Sequence, residues 1–376
     1  MNRIQDNYEK SFASLDEAME EFSAFKNNAE TWTEKTGSLV LTTIDETHRE
    51  QMDEEAYSDT KTGSALVLNT SGHGPIPMRE CAVPHLLERA GYSCPLASKE
   101  RGMLTEEFTR SVTRALCIMG GESTIYRSFE KITCIGSGKY APMEPHDLAG
   151  ILVDSLSEKD SVEFVGGSIS HGHASLQLAL SSGVTASYTR VVEEYECDER
   201  DIIPLVSLRT SSTKDSGVHI GASLMDSRSG TIIPVGNLAT IIHKGVPTKR
   251  LGAFRSACDD LYARCSNVTA ALERLLTIDL DYPLSVLNGV AKEIGFQSKK
   301  LGPYYTQAYN RYAAMWGTAP ANAHELYWAL AETLNVMRET GVSEREILDA
   351  EEYLLKALSK NISWEKYDRK PAAAIA

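Results

Sequence analysis

Apolar residues recur along this chain at two spacings, and the spacing changes twice. Leu15, Ala18, Met19, Phe22 and Phe25 fall on one helical face, behind a capping box in which Ser14 is the cap and Glu17 stands three residues on. Met78 to Ala90 is expected as a second helix, with Pro84 kinking it or moving its start. Phe108, Val112, Ala115, Leu116 and Met119 repeat the pattern behind Thr105, and Pro145-His146-Asp147-Leu148 opens a helix through Ile151, Leu152 and Leu156.

From about Val162 to Lys244 the pattern is that of sheet. Val162–Val165, Ser175–Leu180, Ile202–Leu208, Val218–Met225 and Thr231–Ile242 are expected strands. Gly166-Gly167, Gly172, the polar run 211–217 and Asp226–Gly230 punctuate them as turns or bulges. Connections this short suit antiparallel pairing, because parallel neighbours need crossovers of about a dozen residues or more. Beyond Gly252 the helical spacing returns, over Phe254–Leu275, Pro283–Ile294, Tyr304–Trp316 and His324–Met337, and then from a second capping box at Ser343–Glu346 to Leu358.

The expected fold class is therefore α+β: a central antiparallel sheet flanked by helices, covered on one side, with an all-helical C-terminal region. Four segments follow: an acidic N-terminal helix and linker at 1–62, an α+β core at 63–250, a helical region at 251–369 and a disordered tail at 370–376. Within the first, residues 43–62 are acidic and poor in large apolar side chains, so an exposed linker is expected there.

Composition narrows the class. Hydrophobic residues are 42% and charged residues 24%, ordinary for a globular chain, and no apolar run approaches the ~18 residues of a membrane span. The opening residues Met1 to Asp6 lack an apolar signal core, so a cytoplasmic protein of a bacterial host is expected. The seven cysteines are scattered, which argues against a disulfide framework or a zinc knuckle and for small buried hydrophobes. Net charge is −14, and most of that excess sits in residues 1–62. An acidic arm can thus mask a locally basic face.

Three candidate chemistries stand out. Ser227–Cys258 contains no acid but carries Arg228, Lys244, Lys249, Arg250 and Arg255. Gly295–Ala323 is also free of acids, with Lys299, Lys300 and Arg311 interleaved among Tyr304, Tyr305, Tyr309, Tyr312 and Trp316. Cations for phosphates and flat rings for bases are what single-stranded nucleic acid requires, although the tyrosine spacing equally describes the core face of a helix. Second, His171 and His173 are two residues apart and would share one face of a regular strand, so a metal site completed by His219 or Glu163 is conceivable; exposed hairpin-tip residues are the plainer account. Third, Ser71-Gly72-His73 and Ser170-His171 put hydroxyls near imidazoles, but no Gly-x-Ser-x-Gly elbow accompanies them. The glycine-rich run Asn69–Pro75 lacks the Lys-Ser/Thr pair of a phosphate loop, and no cofactor signature is found elsewhere.

The order of "MRECAVPHLLERAGY", a helix with Arg110 and Arg114, "GSGKYAPMEPHDLAGILVDSL" and "VEFVGGSISHGHASLQLAL" resembles the phage/plasmid-like family called domain of unknown function 932, over roughly residues 78–245. Ser137, Tyr140 and Asp147 are the positions that match its helix-introducing segment. The resemblance implies a gene of phage or plasmid origin, near recombination and replication functions, and implies no reaction. The expected role is a non-enzymatic auxiliary protein of mobile-element DNA recombination or replication, acting on single-stranded DNA, as an oligomer or alone. The alternatives are a metal-dependent enzyme using His171 and His173, and a phage assembly or anti-host factor that docks a protein partner through its acidic arm.

Overall fold

The computed structural model describes residues 2–92, 106–180, 202–213, 217–342 and 344–370, and side chains within these except those of 262–269 and 344–345. The expected caps at Thr105 and Ser343, the cysteines Cys94 and Cys197, and the tail beyond Lys370 lie outside that description.

The middle of the chain forms a six-stranded antiparallel sheet, and the fold is α+β. Its order is β1 (Glu9–Ser11), β8 (Val162–Ser170), β9 (Ala174–Leu180), β10 (Ile202–Thr210), β11 (Val218–Asp226) and β12 (Ile232–Ile241). Alternation sets the two faces. Leu176, Leu178, Val206, Leu208 and Ile220 point to one side, where they bury against Phe22 and Phe25 of α1 (Leu15–Asn27) and against Leu148, Leu152 and Leu156 of a helix at Pro145–Ser157. The intervening residues Ser207, Arg209, His219, Gly221 and Ser223 form the other side. That second face is roofed by the C-terminal helices, so the sheet lies between two helical layers rather than under one. The sequence of a helix does not say which face of a distant sheet it will cover.

Two smaller three-stranded sheets complete the N-terminal half. β2 (Ala29–Lys35) pairs with β6 (Glu122–Ser128), which pairs with β7 (Lys131–Ser137). β3 (Val40–Thr43) pairs with β4 (Leu66–Thr70), and β4 with β5 (Gly74–Pro77). Residues 1–62 therefore supply strands to all three of these sheets. The stretch expected as an exposed linker forms α2 (Glu46–Arg49) and α3 (Glu54–Thr62), capped by Asp45 and Asp53. The acids of residues 1–62 are in part structural. Asp6 and Asp59 lie 2.5 and 2.6 Å from Nζ of the fully buried Lys131, and Glu21, itself buried, receives Arg3, Tyr8 and Lys10. Arg79, also fully buried, bonds Asp6 and the Ile4 and Ser128 carbonyls. A running charge count cannot reveal such pairs, because the cations lie up to 125 residues away.

Pro84 shifts the next helix, as its missing N–H requires: a short 3₁₀ turn at Glu80–Ala82 precedes α4 (Val83–Arg89), with the proline in its first turn. α5 (Glu106–Met119) and α6 (Pro145–Ser157) follow. The expected single helix at 254–275 is two, α7 (Pro247–Asp259) and α8 (Leu261–Leu276), meeting at Asp260. α9 (Pro283–Ile294), α10 (Gly302–Trp316), α11 (Ala323–Glu339) and α12 (Glu344–Leu355) make the C-terminal layer, together with a two-residue strand pair, Asp279–Leu280 with Ala321–Asn322, and 3₁₀ turns at Lys356–Leu358 and Glu365–Tyr367. Its core centres on Tyr327, Phe296 and Trp364 and includes Leu224, Ile233 and Val235 of the sheet. The Tyr327 hydroxyl donates to the Pro234 carbonyl at 2.6 Å, fixing this layer on β12.

Candidate functional site

Within the first acid-free stretch Arg228 lies apart, in the turn between β11 and β12, whereas Lys244 and Arg250 meet where β12 ends and runs into α7. Gly245 N–H donates to the Lys139 carbonyl at 2.9 Å, Ala141 N–H donates to the His243 carbonyl at 3.2 Å, and Tyr140 bridges to Lys244. The two loops are thereby joined, and exposed Lys139 from "GSGKYAP" stands beside exposed Lys244. Gly245 has φ +106°, in the left-handed region that favours glycine. It turns the chain into α7, where the half-buried Arg250 donates Nε to the Lys244 carbonyl at 2.6 Å. Lys249 and Arg255 are exposed on α7, whose first turn has no acid. Helix N-terminal N–H groups and the helix dipole favour anions at this end. Ile242 and Val246 are 54% and 52% exposed beside these cations, and Glu122, whose carbonyl receives the Gly138 N–H, borders them. His243 beneath the loop is buried, and burial lowers its pKa to about 4, so it adds no charge at neutral pH. Lys139 was not singled out from the sequence, because only the β7–β12 loop pairing places it here.

The second acid-free stretch has a different outcome. Lys300 pairs with Glu346 at 3.1 Å, and Arg311 is clamped between Glu332 and Glu339 at 2.5 and 2.6 Å. Tyr305 is buried, with its hydroxyl donating to Asn288 Oδ1, so it is corrected from a base-stacking ring to a core residue. Tyr304, Tyr309 and Tyr312 pack against the same core from half-buried positions. Lys299 and Trp316 remain exposed. Acids on α11 and α12 neutralise in space what is basic in sequence.

The two histidines of the β8–β9 turn also separate. His171 is buried among Tyr8, Phe25 and Phe129, and its Nε2 lies 3.0 Å from the Gln5 carbonyl oxygen. Burial, then the nearby Arg79 charge, hold its pKa down at about 2. His173 instead lines a groove on the other face. Among the described residues no three His, Cys, Asp or Glu side chains are grouped to hold a metal ion, so a site shared by His171 and His173 is corrected: the turn breaks the two-residue alternation on which it depended.

That groove, of about 450 Å³, lies between the polar face of the sheet and α12. Its side wall is tied by a buried ion pair: Arg209 reaches Glu351 with two bonds, at 2.6 and 3.1 Å, and Arg338 adds a third at 3.1 Å. His219 Nδ1 lies 3.3 Å from Thr240 Oγ1, and burial lowers its pKa against the opposing pull of Glu352. No helix among the described residues is long and apolar enough to cross a membrane. The chain matches no protein-family model, no curated protein and no solved structure among those compared.

Proposed function

We propose that this chain is a nucleic-acid-binding auxiliary protein of a mobile element, acting in its DNA recombination or replication, and that it holds the phosphate backbone of single-stranded DNA along the edge from Lys139 to Arg255. The observation that carries this is the meeting of Lys139, Lys244 and Arg250 at the paired loops that lead into α7, whose first turn adds Lys249 and no acid, with Arg255 exposed further along the same helix. Exposed Ile242 and Val246 supply apolar surface on which bases can rest. The likeness of residues 78–245 to a phage/plasmid-like family supports the mobile-element context. The stretch Lys299–Arg311 plays a lesser part here than its sequence suggested, because two of its three cations are paired with carboxylates.

Fluorescence anisotropy of a labelled oligo(dT), titrated across a series of sodium chloride concentrations, tests this. Each phosphate contact contributes roughly −0.7 to the slope of log K against log salt for single strands. The double variant Lys244→Ala/Lys249→Ala should therefore flatten the slope by about 1.4, whereas Lys299→Ala should leave it nearly unchanged. A duplex arm separates single-strand preference from general affinity for polyanions. No binding at low salt, or a slope that the double variant leaves untouched, refutes the proposal.

A further inference from the structure

The groove under α12 has features that the basic edge does not use. Its floor is built from Ser207 and Ser223, which are 4% and 6% exposed. Among the described residues neither hydroxyl has a hydrogen-bond partner, although both line the cavity. Both hydroxyls open onto the cavity, where they can donate to or accept from a bound group. Gly221 lies directly opposite Ser207 in the β10–β11 register, and a Cβ there would come within 2.8 Å of Ser207 Oγ. A side chain at position 221 would crowd the Ser207 hydroxyl.

The electrostatics of the groove select the kind of occupant. Its one guanidinium, Arg209, is committed to Glu351, which Arg338 also engages. Glu9, Asp349 and Glu352 stand exposed around the cavity, and among the described residues Asp349 and Glu352 form no ion pair. Burial depresses the pKa of His219 against the opposing pull of Glu352, which disfavours its charged form. The field at the mouth is therefore negative, the reverse of that along the α7 edge, and it disfavours phosphate.

We infer that this groove is a binding site for a small organic cation that bears hydroxyl or amino groups, with its ammonium at Asp349 and Glu352 and its polar groups on Ser207 and Ser223. Isothermal titration of the full chain with glucosamine, glucose and glucose 6-phosphate varies charge on one ring, and spermidine adds a cation without the ring. Glucosamine or spermidine should bind at millimolar concentration, at least about tenfold more tightly than glucose, with no uptake of glucose 6-phosphate. The Ser207→Ala/Ser223→Ala variant should lose about tenfold in affinity for the cation, and Glu352→Gln should erase its advantage over glucose. Lys244→Ala/Lys249→Ala should bind the cation as the parent does, which distinguishes failure of this site from failure of the nucleic-acid edge. Absence of binding by both amines at millimolar concentration overturns the inference. So does equal affinity for glucose and glucosamine, or unchanged affinity in a serine variant that melts at the parent's temperature.

Discussion

Replacing Lys131 by Met tests whether the acidic N-terminal segment is part of the folded body. The ammonium is fully buried and held at 2.5 and 2.6 Å by Asp6 and Asp59, whose side chains are themselves only 16% and 23% exposed. Met matches the stem of the lysine but leaves the carboxylates without their shared cation. Asp6 keeps Arg79 at 3.2 Å and the Glu80 N–H at 2.8 Å, whereas Asp59 keeps the Asp6 N–H at 3.1 Å. Breaking a buried pair from one side costs ~3–5 kcal/mol, because the remaining charge stays desolvated. The burden here falls mainly on Asp59, so a value near ~3 kcal/mol is expected. Urea denaturation read by tryptophan fluorescence measures it, as a fall in midpoint with an unchanged slope. Added salt should recover little of the loss, since buried charges are weakly screened. Asp59→Asn in the Lys131→Met background should restore part of the stability, because it removes the stranded charge. A loss under ~1 kcal/mol, the range of a surface ion pair, would refute the reasoning and return residues 1–62 to the status of a separate arm.

Two further outcomes follow from buried charge. Arg209→Met should cost roughly 3 kcal/mol in the same assay, since Glu351 would keep only Arg338; a loss below ~1 kcal/mol would mean that α12 is not tied to the sheet by this pair. Burial raises the pKa of Glu144 from 4.5 to about 7, so the folded state favours its neutral form. Its contribution is complete below pH 4.5 and is lost as the pH rises through about 7. Between pH 5 and pH 8 the parent should therefore lose up to roughly 3 kcal/mol relative to Glu144→Gln, and parallel pH profiles would count against the burial assigned to this carboxyl.

The sequence by itself determined the class of the central strands and of most of the longer helices, but not of residues 43–62, which form α2 and α3. The apolar runs Ser175–Leu180, Ile202–Leu208 and Val218–Met225 were legible as strands, and short turns made β8–β9, β10–β11 and β11–β12 antiparallel, whereas the antiparallel pairing of β9 with β10 across residues 181–201 was settled only by the fold. Ser14, Pro84 and Pro283 marked helix starts through local hydrogen bonding that needs no distant partner. Tertiary structure decided the meaning of charge and the location of the candidate sites. Coulomb energy depends on distance in space, and the partners of Lys131, Arg209 and Arg311 are 125, 142 and 21 residues away for the contacts at 2.5 to 2.6 Å. The acidic arm became a set of internal counter-ions, one basic stretch was neutralised by acids on α11 and α12, and the other gained Lys139 through the pairing of two loops. The groove was likewise invisible in one dimension. Ser207, Gly221 and Ser223 are small residues inside strands, and only the sheet register beneath α12 makes them the floor of a cavity.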